Sequence, residues 1–249
     1  MVCFAPRIWQ RTALNGRLGV VGMRGNRPSS RAEGAAGLKL ACLGERLPWA
    51  TNPPAFGSDW PARYGAPHTD TGLGKFVVTG GAGLIGSNVV SRLSQAGHRV
   101  VVADWLEQGD KWRNIAKSLV HDIIAPPLLR PWLDRMRADI QGIVHMGAIS
   151  ATTERDGDKL VENNVRLSLD LWAYCAEAGV PLIYASSAAT YGDGSAGFDD
   201  DGSEAALARL RPLNGYGWSK HAVDRRIARD IAEGRPQPPK WAGLKFFNV

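Results

Sequence analysis

Hydrophobic and polar positions fall into a regular alternation of elements only from about residue 73 onward. Lys75-Phe76-Val77-Val78-Thr79 is a short apolar run of the kind that forms a buried strand, and Leu84 to Gln95 carries a helical pattern. Arg99 to Ala103 reads as a second strand, Lys117 to Val120 as a short third, and Ile140 to His145 as a fourth. A long helix is predicted from about Asp158 to Ala178, stopped by Gly179 and Pro181. Leu182 to Ala185 is a fifth strand, Gly215 to Ala232 another helix, and Leu244 to Phe247 a sixth strand. Apolar strands separated by helices predict an α/β fold: a Rossmann-like, doubly wound parallel sheet covered on both faces.

Residues 1–73 show neither helical nor strand period and are rich in Gly, Pro, Ser and Arg, as in Gly25-Asn26-Arg27-Pro28-Ser29-Ser30. Such a stretch buries too little apolar surface to offset the entropy of ordering it, so 1–73 is expected to be a low-complexity, disordered extension. Residues 74–249 form the expected nucleotide-binding domain. The net charge of +6 belongs largely to that extension, whose nine Lys/Arg against four Asp/Glu leave the remainder near neutral. This distribution argues against a nucleic-acid partner. No apolar run reaches membrane-spanning length, and three cysteines without C-x-x-C spacing point to free thiols in a reducing cytoplasm rather than to disulfides or a metal.

Chemistry enters with Thr79-Gly80-Gly81-Ala82-Gly83-Leu84-Ile85-Gly86, placed between the first strand and its helix. Glycines there let the backbone turn sharply and approach a pyrophosphate, whose charge the helix N-terminus meets. Asp104 follows the second strand, where a carboxylate accepts from a ribose 2′-hydroxyl and favours NAD. Lys111 and Arg113 lie just beyond, suited either to a 2′-phosphate or to a solvated loop, so the residues leave NAD against NADP open. Asp122 suits either an adenine amino group or a helix N-cap.

Tyr216-Gly217-Trp218-Ser219-Lys220 sets a tyrosine and a lysine four apart on one helical face. A free phenol, with its pKa of about 10, is a weak base at neutral pH, and a neighbouring ammonium favours the phenolate. Ser187 ends the fifth strand at the edge where open α/β sheets bind ligands, while Ser186, Ser187 and Thr190 are also ordinary turn and cap residues.

Together the glycine motif, Ser187 and Tyr-x-x-x-Lys resemble the extended short-chain dehydrogenase/reductase family acting on nucleotide sugars. Three stretches, His145 to Glu154, Tyr184 to Gly192 and Leu213 to Lys220, resemble its heptose 6-epimerase branch. Thr152-Thr153-Glu154 discriminates most, and the Asp-Glu pair that dehydratases carry beside the catalytic hydroxyl does not follow Ser187. The resemblance covers about residues 74–249 and none of 1–73.

The resemblance implies bound NADP, with NAD possible, and an ADP-heptose substrate epimerised at C6 for lipopolysaccharide core synthesis. Tyr216 would be the acid/base, Ser187 a donor to the substrate oxygen and Lys220 the modulator, also touching cofactor. Further cofactor contacts would come from Gly80, Gly83, Leu84, Ile85 and Gly86, then from Asp104, Trp105 and Lys111. Arg130 would replace a family lysine; the loop Met146, Gly147, Ala148, Ile149, Ser150 and Asn163 would line the cofactor. Met146 stands where the branch has an acidic residue. Asn248 would meet substrate and Val249 cofactor, at the point where the family continues into its second base and substrate domain. The chain is therefore expected to be a C-terminally truncated fragment of impaired activity, and the full-length enzyme a homo-oligomer. The competing readings are another nucleotide-sugar epimerase or dehydratase, and a non-catalytic NAD(P)-binding protein.

Overall fold

A computed structural model of the chain describes residues 18–21 and 74–247. In chain order the elements are β1 (Leu18–Val21), β2 (Lys75–Thr79), α1 (Leu84–Gln95), β3 (Arg99–Ala103) and β4 (Asp122–Ile124). They continue with α2 (Leu129–Arg135), β5 (Ile140–His145), α3 (Gly157–Leu160), a π-helical stretch (Val161–Arg166) and α4 (Leu167–Ala178). β6 (Leu182–Ser187), α5 (Glu204–Leu207), α6 (Gly215–Ala232) and β7 (Trp241–Phe246) complete the fold.

The strands form one parallel sheet in the order β1-β7-β6-β5-β2-β3-β4. From β2 the chain winds outward through β3 and β4, then returns to the other side of β2 as β5. That reversal opens a crevice at the carboxyl ends of β2 and β5, the switch point where such sheets take ligands. Thr79 and His145 are register partners there.

Adjacent residues of each strand face opposite layers. Val78, Val100, Val102 and Val144 pack with Val90 of α1, whereas Val77, Val101 and Ile143 pack with Leu133 of α2, Leu171 and Trp172 of α4 and Ile227 of α6. Both faces of the sheet are thus covered, as its continuous apolar strands require. Trp172 meets Trp241 edge to face at 5.1 Å, a pairing that adds about 1 kcal/mol to the area buried and ties α4 to β7.

Four differences from the pattern reading have physical causes. The third strand is Asp122–Ile124 rather than Lys117 to Val120, because Leu119 is instead held by backbone exchange with Ser94 at the end of α1 and stays exposed. The long helix breaks into α3, the π stretch and α4; the π stretch carries an extra residue per turn, and Asn164 within it is fully buried beside Ser168 of α4. Its end is as expected, with Gly179 left-handed at φ 69°. β7 begins three residues early, where Trp241 finds Trp172 and donates to Gln237 at 3.0 Å. Last, Leu18–Val21 pairs in parallel with β7, although the hydrophobic pattern predicts no element there; four residues are too short a run to show a period. The remainder of 1–73 lies outside the described residues. Among the described residues, no helix is long and apolar enough to cross a membrane. Cys175 is a buried free thiol that burial pushes up to about 12.

Candidate active site

The glycine turn is shaped by what cannot fit in it. Gly80 has φ +63°, and a Cβ there would lie 2.6 Å from Gly147 of the next loop. A Cβ on Gly86 would overlap the Gly80 carbonyl oxygen. Gly83 opens α1 without any side-chain cap and without an acidic first turn. The first N–H groups of a helix lack intrahelical acceptors, so this end is an electropositive cradle for a phosphate. Asp104 braces it, taking Ala82 N–H on Oδ2 at 2.8 Å and the Lys111 ammonium on Oδ1 at 2.7 Å. Lys111 also donates to the Trp105 carbonyl at 2.8 Å, which brings Asp104, Trp105 and Lys111 together. Asn114, which no motif marks, holds the Ala82 carbonyl at 2.8 Å.

Opposite the cradle, the loop from Met146 to Ser150 is fixed through its backbone. Met146 N–H donates to Thr79 O, and Gly147 N–H to Thr79 Oγ1, both at 3.1 Å. Ile149 exchanges hydrogen bonds with the Asn164 carboxamide at 2.8 and 3.0 Å. The second Asn164 N–H reaches Ser219 Oγ at 2.9 Å, and Ser219 donates to the Tyr216 carbonyl at 2.7 Å. Every donor of the Asn164 amide is therefore used to lock the cofactor-side loop to the Tyr216 helix. Asn163, the neighbour that the resemblance implies, donates to Lys159 O at 2.8 Å.

His145 closes this frame, and the directions of its bonds follow from its neighbours. Ser168 Oγ gives its proton to Asn164 O at 2.5 Å, so it accepts from His145 Nε2 at 2.9 Å. Nδ1 then carries no proton and accepts from Thr79 Oγ1 at 2.6 Å. Complete burial, reinforced by the Lys220 charge, pulls the imidazole down to about 3 and keeps it neutral. Sequence spacing offers no hint of Thr79, His145, Ser168 or Ser219, because the bonds Thr79–His145, His145–Ser168, Gly147–Thr79 and Asn164–Ser219 join residues 23 to 68 positions apart.

At the head of α6, Asn214 caps the helix on Gly217 N–H at 2.8 Å and orients its first turn. Gly217 sits where a Cβ would press on the Ala189 carbonyl at 2.7 Å, so α6 lies close against the turn after Ser187. Ser187 accepts Ala189 N–H at 3.1 Å and also serves Tyr216, whose phenol burial pushes up and the Ser187 hydroxyl draws back. Lys220 is buried, and its Nζ has no hydrogen-bond partner. Burial pulls it down to about 8, against the pull of Asp224. Ser187, Tyr216 and Lys220 are thus brought together.

The Thr152-Thr153-Glu154 turn is exposed at both threonines. Glu154 is half-buried and receives Lys159 Nζ at 2.8 Å and the Asp156 and Arg155 N–H groups at 3.0 and 2.9 Å, which hold its carboxyl at about 2. It shapes the approach to α3. Arg130 is committed to Asp134 at 3.0 Å and lies over the Tyr174 ring at 5.2 Å. Asp122 opens β4 and accepts the Ile123 N–H at 2.8 Å, so it caps no helix; it stands at the strand end away from the crevice. Asn248 and Val249 lie outside the described residues.

Comparison with known proteins gives this geometry a family. The chain is 47% identical over 176 residues to the ADP-L-glycero-D-manno-heptose-6-epimerase of Fusobacterium nucleatum, covering 70% of this chain and 52% of that protein. The Helicobacter pylori enzyme of the same name superposes with a TM-score of 0.56 at 26% identity, over 71% of this chain and 56% of that one. MoeE5 in complex with UDP-glucuronic acid and NAD does so with a TM-score of 0.54 at 28% identity, over 71% and 55%. The chain spans about half the length of the relatives it matches. The profile of the NAD dependent epimerase/dehydratase family matches residues 76–236. The chain belongs to that family.

Proposed function

We propose that residues 74–249 bind NADP and carry the acid–base part of an ADP-heptose 6-epimerase, a cytoplasmic step toward lipopolysaccharide core. The observation that carries this is the orphaned, buried Lys220 ammonium one helical turn from Tyr216, whose phenol is bonded to Ser187. A buried cation without an acceptor is costly, and a ribose diol would satisfy it. The cradle's missing side chains and uncapped helix end fit the pyrophosphate of the same molecule. Lys111, held against Asp104 where the adenosine ribose would lie, favours a 2′-phosphate and hence NADP.

NADP supplies the acceptor and later donor of the hydride at C6. Tyr216 takes the proton of the C6 hydroxyl as that carbon is oxidised and returns it as the carbon is reduced. Ser187 donates to the same oxygen and steadies its charge. Lys220 stabilises the phenolate and orients the ribose, while Asn164 keeps the cofactor-side loop in register with Tyr216. The exposed threonines of the Thr-Thr-Glu turn would offer their hydroxyls to the substrate.

The test is incubation of the purified chain with NADP and ADP-D-glycero-β-D-manno-heptose, with the C6 epimers separated by chromatography. Slow formation of the L-glycero epimer is expected, in keeping with a chain that spans about half of its relatives, and Tyr216→Phe should lower it about a further 100-fold. A chain that binds NADP yet leaves ADP-heptose unchanged, or a Tyr216→Phe variant that turns over as fast as the parent, would contradict the reading.

A further inference from the structure

Behind the Tyr216–Lys220 pair lies a second charged cluster that the proposed chemistry leaves unused. Tyr216, Lys220 and Asp224 follow one another at four-residue steps and share one face of α6. Asp224 is completely buried, and three donors converge on it. Ser186 Oγ donates to Oδ2 at 2.6 Å, Lys245 Nζ to Oδ2 at 3.0 Å, and Tyr184 OH to Oδ1 at 3.1 Å. Lys245, from β7, is equally dry. It also donates to Thr190 Oγ1 at 2.6 Å and lies 4.8 Å from the Tyr191 ring centroid.

Two buried ammonium groups therefore share one buried carboxylate. Lys245 is satisfied by a carboxylate, a hydroxyl and a ring face, whereas Lys220 has no acceptor of its own. Of the other groups around the cluster, Arg211 and Arg225 bear on His221 and Asp199 and Asp200 on Tyr191, not on Lys220. Burial pulls His145 on β5 and His221 on α6 down, and pushes Tyr184 on β6 and Tyr216 up. Asp224 is then the one anion near Lys220, and Lys245 the one competing cation, among the described residues. A buried ion pair gains little over well-packed apolar residues, so a brace alone is a weak account of Asp224 and Lys245. Asp224 stands one helical turn from Lys220, and its charge acts on that ammonium.

We propose that Asp224 is the shared counter-ion of Lys220 and Lys245, and that this positioning residue keeps Lys220 charged beside Tyr216. The inference rests on the reading of Tyr216 and Lys220 as the acid–base pair, but its test needs no turnover, so a chain inactive on ADP-heptose leaves it standing or falling on its own.

The experiment is a pH titration of the purified chain labelled with [13Cε]lysine, followed by NMR, with Lys220 assigned by Lys220→Met. Asp224→Asn is expected to lower the Lys220 midpoint by about one pH unit or more, and Lys245→Met to raise it. A mere brace predicts that both substitutions shift Lys220 upward, toward ordinary lysine, as water enters a loosened core. Should Asp224→Asn fail to fold, the Asp224→Asn/Lys245→Met double variant removes the pair without stranding an ion. Its Lys220 midpoint is expected about one unit or more below that of Lys245→Met alone. A midpoint equal to or above that of Lys245→Met, or single variants that move Lys220 in the same direction, would overturn the proposal.

Discussion

In the turn between β2 and α1 the working atoms belong to the backbone, and the residues that matter are those whose side chains are missing. At the head of α6 nearly every working atom is a side-chain atom, and the supporting groups come from β5, the π stretch, β6 and β7. The cradle is a local device: Gly80, Gly83 and Gly86 lie within seven residues, braced by Asp104 across one strand. The catalytic face is a long-range one, in which Asn164 reaches Ser219 and Lys245 reaches Asp224. A phosphate asks for shape and N–H groups, which a turn can supply alone. A tuned phenol asks for charges in a dry place, which only a packed core supplies.

Lys220→Met should break the catalytic face while strengthening the fold. The folded-state pKa of Lys220 is lowered to about 8 from 10.5, so below pH 8 the native state bears the cost of a buried ammonium. That cost is relieved as pH rises between about 8 and 10.5, where the unfolded chain binds the extra proton. At neutral pH the substitution should stabilise the chain by about 3 kcal/mol in urea unfolding, and the pH-dependent rise above 8 should vanish.

Gly86→Ala attacks the cradle in the opposite sense. Its methyl displaces the Gly80 carbonyl, and NADPH binding, followed by fluorescence titration, should weaken about 100-fold, or roughly 3 kcal/mol. The Lys220 titration should stay where it is, because no side-chain partner of the catalytic face moves.

How much of each region shows in the sequence follows from the same contrast. Gly80, Gly83, Gly86 and Asp104 announce themselves because their spacing is dictated by a short turn, and Tyr216 and Lys220 because four residues make one helical face. Asn163 enters only through the resemblance, and the buried contacts of its neighbour Asn164 within the π stretch have no mark in the local pattern. His145 and Lys245 read as polar interruptions of apolar strands, and their partners, Thr79, Ser168 and Asp224, are set by strand order rather than by local pattern. The step from Lys220 to Asp224 repeats the four-residue spacing along α6, but nothing in that spacing tells a buried carboxylate from a solvated one.

His145 joins the two regions, and acid should part them. Its folded pKa is about 3 against 6.5 for an ordinary histidine, so the unfolded chain binds the extra proton between those values. Stability should therefore fall as pH drops from about 6.5 toward 3, by about 3 kcal/mol at pH 4 in urea melts. His145→Gln, which keeps one donor and one acceptor, should flatten that dependence; an unchanged slope would locate the acid lability elsewhere.

The smallest effect concerns cofactor choice. Lys111→Ala removes the ammonium at Asp104 without disturbing the Ala82 N–H bond. NADP affinity should fall about tenfold, near 1.4 kcal/mol, with NAD affinity unchanged or improved. Equal losses for both cofactors would show Lys111 to be a brace for the turn.

The central claim is that the backbone cradle and the buried Lys220 form one nicotinamide site. Calorimetric titration of NADPH into the purified chain, side by side with Gly86→Ala and Lys220→Met, tests it most directly. One saturable site, weakened by both substitutions although they stand in different elements and only one of them removes a charge, is the predicted result. Absence of binding to the parent chain, or binding that either substitution leaves untouched, would contradict it.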